Sequence, residues 1–185
     1  MKTFITKELI SKEIHLASTI GPVPLTVSGV QNNFDVTGLP SGWALCYNDT
    51  YNIVLNSTVL DTILTQCNKS KLLLGCGTIN SSVLTLAAMG LRSDVLYNCS
   101  NIITCTHIAN GVGWYYSSNY SWGFVEGADT VYRRRCDIDI TTDDSSNSGL
   151  RLCWHTGPNL GGYRCGSSVG LNSEKTFVRY IYHVD

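Results

Sequence analysis

Eight cysteines constrain this chain before any other feature does. Cys46, Cys67, Cys76, Cys99, Cys105, Cys136, Cys153 and Cys165 are an even set, none adjacent to another and none in a C-x-x-C pair. Chains kept reduced by cytosolic glutathione seldom carry so many, whereas oxidised extracellular ones often do. A structural zinc site would want close pairs of Cys or His that one turn can present to one ion. The closest spacings, Cys99 to Cys105 and Cys67 to Cys76, do not match a two-residue knuckle. His15, His107, His155 and His183 are scattered. No local pattern nominates an activated catalytic thiol. Disulfides are the expectation, with about 105 possible pairings. The shortest closures, Cys99 with Cys105 and Cys153 with Cys165, are the least costly. Cys46, Cys67, Cys76 and Cys136 would then form longer links.

Six N-x-[ST] sequons point to the same compartment, at Asn48, Asn56, Asn68, Asn80, Asn98 and Asn119. In a chain rich in Asn, Ser and Thr some of these arise by chance, so glycans on exposed loops and a merely polar composition are both open. Asn98 is a poor acceptor if Cys99 is bridged early. The remaining five are the candidate glycosylation sites.

The chain of 185 residues suits one domain with an arm, and a chain of this size buries roughly 70% of its unfolded surface. Only 15% of residues are charged and the net charge is −1, which speaks against nucleic acid and against an anionic membrane surface. No stretch approaches the roughly 18 apolar residues of a membrane span. Met1 to Glu8 lack the apolar run of a secretory leader. Three routes then remain: a mature fragment, a virion or phage surface protein oxidised late, or cysteines that stay reduced. The expected location is extracellular, on a cell surface or on a virion.

The pattern divides into an N-terminal arm or edge strands over 1–40 and a cysteine-rich β-domain over 41–185. Residues 1–22 are charged and free of cysteine, and Pro22 and Pro24 break any helix there. Residues 23–30 read as a strand with Leu25 and Val27 on its apolar side. One helix is expected over 58–67, where Leu60, Ile63, Leu64 and Cys67 recur at helical spacing behind a capping box of Thr58 and Asp61. The rest reads as short strands, at 71–76, 83–89, 94–97, 102–107, 114–116, 121–125, 130–135, 150–155, 163–166 and 176–184, separated by Gly and Asn turns. The fold class is therefore mostly β, a disulfide-stapled sandwich or barrel-like domain.

Two segments carry candidate chemistry. Trp114, Tyr116, Tyr120 and Trp122 interleave with small polar residues on what reads as one hairpin turning at Ser117-Ser118-Asn119. Half of a hairpin's side chains face outward, and exposed rings stack on sugars, so these four are the candidate ligand-binding residues, with Trp154 and His155 on the rim. The competing reading puts the same rings in a core. Asp137 and Asp139 alternate along a strand, and Asp143 and Asn147 follow in an acidic loop. These form a weak Ca²⁺ candidate set, since the glycine of an EF-hand loop comes one residue late and no Glu closes it. A solvated acidic loop is the plainer reading. Arg133-Arg134-Arg135 is the one basic run. No G-x-S-x-G, H-E-x-x-H or G-x-G-x-x-G marks an enzyme.

The expected function is a non-enzymatic extracellular module, lectin-like or adhesive, that recognises a glycan or a surface protein without a cofactor except possible Ca²⁺. One alternative is a structural subunit of a filament, coat or virion that self-assembles through residues 1–30 by strand addition. Another is a secreted hydrolase built on His155 or His107 beside a carboxylate.

Overall fold

The computed structural model describes residues 23–98, 102–136 and 149–185. Two five-stranded antiparallel sheets face each other as a sandwich and do not close into a barrel. The first sheet contains β1 (Gln31–Asp35), β4 (Val83–Leu91), β3 (Lys71–Thr78), β10 (Phe177–Val184) and β2 (Ala44–Thr50), in that order. The second runs β5 (His107–Ala109), β6 (Val112–Tyr116), β7 (Ser121–Glu126), β8 (Leu152–His155) and β9 (Gly162–Cys165). Among the described residues the one helix of more than two turns, α1 (Ser57–Gln66), packs Leu60 and Ile63 into the core. A single turn, α2 (Arg92–Val95), follows β4.

The helix forms where the apolar spacing predicts it. Leu60, Ile63 and Cys67 are buried, with Leu64 half-buried beside them. Its cap differs from the expected box: Asn56 Oδ1 accepts the Val59 N–H at 3.0 Å, so the helix is capped two residues before Thr58. The β1 and β2 strands carry no clean alternation and emerge only as ladder partners of β4 and β10. Residues 94–97 and 130–135 read as strands but form α2 and a 3-10 turn, Arg133–Arg135. Residues 23–30 are extended but join no ladder. Leu25 and Val27 still alternate inward, and together with Phe34 and Trp43 they cover Leu73, Met89 and Val178 on the outer face of the first sheet. Asn110 fastens this segment by donating from Nδ2 to the Val27 and Met89 carbonyls.

Between the sheets, Leu72, Leu74, Leu86 and Ile181 meet Trp114, Trp122, Phe124, Leu152 and Trp154. Each indole removes roughly 150–250 Å² from water, which at about 25 cal/mol per Å² is worth several kcal/mol apiece. All three indole N–H groups are satisfied, by the Ala109 carbonyl, the Val95 carbonyl and the Tyr51 hydroxyl. Arg133, Arg164 and Arg179 are wholly buried, and each donates to backbone carbonyls.

Cys46 pairs with Cys67, Cys76 with Cys165 and Cys136 with Cys153. Cys105 is also bridged, while Cys99 lies outside the described residues. The expected Cys153–Cys165 closure is therefore wrong, and the ladder says why. Cys165 stands opposite Leu152, while Cys153 stands opposite Arg164. One step along a strand reverses the face, so Cys165 points into the core to meet Cys76 across the sandwich and Cys153 points outward to Cys136. These disulfides indicate an oxidising, secreted or extracellular setting. Among the described residues no helix is long and apolar enough to cross a membrane.

The Cys76–Cys165 bridge closes a span of 89 residues and the Cys136–Cys153 bridge one of 17. All four cysteines are fully buried, so replacing either pair with alanine leaves similar small voids. Chain entropy then makes loss of the Cys76–Cys165 pair the more destabilising by about 1.5 kcal/mol. Denaturant midpoints of the two double-alanine variants measure this difference, and equal midpoints would contradict it.

Candidate functional site

The aromatic hairpin forms as expected but does not present the expected platform. The β6 and β7 strands pair Tyr116 with Trp122 and Trp114 with Phe124 around the turn at Ser117 to Tyr120. Trp114, Trp122 and Trp154 are 0% exposed, which overturns their assignment as ligand contacts. Trp122 lies edge-on to Trp154 at 5.5 Å and to Tyr116 at 5.6 Å. Tyr116 is half-buried against the same core. The inference that half the hairpin faces outward also fails, because the second sheet is covered on both sides. Tyr115 and Val125 point away from the core yet are sealed beneath Val131 and the Cys136–Cys153 bridge.

Two of the nominated residues do converge. Tyr120, at the hairpin tip, and His155, at the end of β8, line a cavity of about 200 Å³ together with Asn119, Arg134, Pro158 and Leu160. Three segments distant in sequence build it: the β6–β7 turn, the 3-10 turn after Tyr132, and the β8–β9 loop. Backbone bonds hold them in place. The Thr156 N–H donates to the Tyr120 carbonyl at 3.1 Å, and the Thr156 hydroxyl donates to the Ser117 carbonyl. The Ser121 hydroxyl donates to the Arg133 carbonyl at 2.8 Å, and Arg133 returns a bond to the Tyr116 carbonyl.

The lining mixes ring, hydrocarbon, amide and cation. The Arg134 guanidinium lies 5.3 Å from the Tyr120 ring centroid, within cation–π range. His155 meets Tyr163 edge-on at 5.7 Å. Burial pushes the His155 imidazole below its ordinary value of 6.5, while a backbone hydrogen bond with Tyr120 opposes this. Among the described residues no carboxylate lines the cavity. It is smaller than the roughly 300–1,000 Å³ of pockets for drug-sized ligands.

The other candidates fall elsewhere. Asp137, Asp139, Asp143 and Asn147 lie outside the described residues. Among the described residues no group of three or more His, Cys, Asp or Glu side chains gathers to hold a metal. Asn48, Asn56, Asn68, Asn80 and Asn119 are all exposed. His107 Nε2 is 2.9 Å from Asp94 Oδ1, with Tyr97 stacked on the imidazole at 4.4 Å. Sequence reasoning did not reach Leu160 or the joining of Arg134 to Tyr120, since both follow from how two hairpins and a turn meet. The Gly161-Gly162 pair has a packing role: a Cβ at either position would overlap the Tyr51 carbonyl oxygen or ring.

No family model, curated protein or solved structure matches this chain.

Two predictions follow from these positions. Trp122→Ala empties the core and costs about 3–5 kcal/mol, so its near-UV circular dichroism collapses or its denaturation midpoint drops sharply. Tyr120→Ala leaves both nearly unchanged, and comparable losses in the two variants would contradict this placement. The second concerns pH. With its folded pKa depressed, His155 binds protons more readily in the unfolded chain. Its contribution to stability is present above the ordinary value of 6.5 and is lost as pH falls from there through the folded pKa. Burial also lowers His183, so wild type loses stability in the same direction at both residues. Denaturation at pH 7.5 and pH 5 checks the His155 share: His155→Gln should lose less stability than wild type over that interval.

Proposed function

We propose that this chain is a non-enzymatic extracellular surface module that recognises a glycan in the cavity between Tyr120 and His155. The observation behind this reading is the convergence of three rigidly held segments on one small concavity of mixed lining. Sugars offer weakly apolar C–H faces and many hydroxyls. Tyr120, Pro158 and Leu160 suit the first, and Arg134, Asn159 and His155 suit the second. The size fits one sugar residue of a longer chain. The absence of a lining carboxylate among the described residues leaves Arg134 available to hydroxyl, carboxylate or sulfate groups. A surface protein whose glycan enters the cavity is the corresponding partner.

One observation favours a second reading, a secreted hydrolase. The His107–Asp94 pair is the imidazole–carboxylate contact that such an enzyme needs. Among the described residues no hydroxyl or thiol is hydrogen-bonded to His107. The assembly reading rests on residues 1–30. Of these, 23–30 are seated on the chain's own first sheet, and the part before residue 23 lies outside the described residues. Deleting residues 1–22 with no change in oligomeric state would end that reading.

A panel of immobilised glycans, probed with unglycosylated wild type, Tyr120→Ala and Arg134→Gln, all refolded from a host that does not N-glycosylate, tests the leading proposal. Binding to at least one class is expected. Tyr120→Ala should weaken it by about 1 kcal/mol or more, roughly fivefold. No binding across the panel, or binding indifferent to both substitutions, would remove the cavity from consideration.

A further inference from the structure

Asn119 occupies a singular position among the sequon asparagines. It lines the Tyr120–His155 cavity and also a neighbouring groove of about 190 Å³ with Asn56, Ser118 and Pro158. It therefore stands between two concavities, and a bulky group on its side chain is within reach of both. The Asn119 side-chain amide is exposed and makes no hydrogen bond to a described residue. Its backbone is pinned, with the N–H donating to Ser117 Oγ at 3.2 Å and the turn closed by Ser117 N–H to the Ser121 carbonyl at 2.9 Å. The attachment point cannot swing away from the cavity without breaking the bonds from Thr156 to Ser117 and Tyr120.

We infer that Asn119 carries an N-linked glycan whose first sugars lie over the Tyr120–His155 cavity, so that modification of Asn119 closes the site to outside ligands. The inference rests on the proposed carbohydrate reading and adds its regulation. The donor is an oligosaccharide on a lipid diphosphate. Its anomeric C1–O bond to the diphosphate breaks, Asn119 Nδ2 forms the new bond to C1 and gives up one proton, and the lipid diphosphate leaves. The reaction acts on the chain before it folds, since the Ser121 hydroxyl of the sequon is buried and bonded to the Arg133 carbonyl in the native state.

Tethering explains why the chain's own sugar prevails. A group held by a short linker reaches an effective concentration on the order of mM. If the cavity binds one sugar residue with a Kd also on the order of mM, the tethered sugar covers it at least half the time. A free glycan of similar affinity is then outcompeted at lower concentrations. Asn56, whose Oδ1 caps α1, lies across the neighbouring groove. Asn68, beyond the end of α1, lines neither concavity.

The test uses the full chain secreted from an N-glycosylating host, as wild type, Asn119→Gln and Asn68→Gln. Peptide mass mapping reports occupancy at Asn119. Carbethoxylation of His155 reports access to the cavity, with His107 as internal reference, and the glycan panel reports binding. Asn119 is expected to be occupied. His155 should react at least about twofold faster in Asn119→Gln than in wild type, with Asn68→Gln matching wild type. Panel binding should strengthen in Asn119→Gln alone. An unmodified Asn119, or equal His155 reactivity in wild type and Asn119→Gln, would overturn the inference. Protection that depends on Asn119 without panel binding by any form would instead support the glycan's placement and count against the cavity as a receptor for outside ligands.

Discussion

Tyr51 is the contact on which the two sheets depend. It follows β2 in the first sheet, yet most of its bonds lie in the second. Its hydroxyl donates to the Arg164 carbonyl at 3.0 Å and accepts from the Trp154 indole at 3.0 Å. Its carbonyl accepts the Gly162 N–H at 2.7 Å, while its own N–H returns to the Phe177 carbonyl. The Arg179 guanidinium lies 5.8 Å from its ring. Burial raises its pKa, so the phenol stays neutral and remains a donor throughout the accessible pH range. The glycine pair at 161 and 162 exists to admit this ring. Shape, hydrogen bonding and the Cys76–Cys165 bridge thus converge on one junction between the layers.

That junction leaves little of the sheet surface for binding. The outer face of the first sheet lies under residues 23–43, and that of the second under Val131 and a disulfide. The Tyr120–His155 cavity lies instead at the ends of the hairpins. The buried arginines serve this arrangement. Arg133 donates to the Tyr116 carbonyl, and Arg179 donates from Nη2 to the Thr50 and Ile53 carbonyls, which ties the turn after β2 to β10.

The sequence was legible where one rule governed. The helix over 58–67, most long strands and the oxidised cysteines follow from period, turn residues and count. The cysteine partners were not legible, because facing is decided by register. A single step separates Cys165, directed inward, from Cys153, directed outward. Trp114 and Trp122 misled for a related reason: a hairpin read alone shows two faces, and whether either meets water depends on segments far away. The candidate site was legible only as fragments. Tyr120 and His155 were both nominated, for aromatic content and for position, but their meeting depends on the β7–β8 pairing of Ser121 with His155. Asp94 and His107 likewise met only through the α2 turn that local pattern read as a strand.

The placement of β10 has a consequence in time. This last strand lies between β3 and β2, in the interior of the first sheet. During synthesis β3 therefore emerges with one edge unpaired and stays so until β10 arrives. Cys46 and Cys67, 21 residues apart, can meet early, whereas Cys76 must wait for Cys165. The first sheet is completed only once β10 has emerged, as its non-local pairing requires. Every enzyme that modifies the nascent chain meets an open substrate for the whole of that interval.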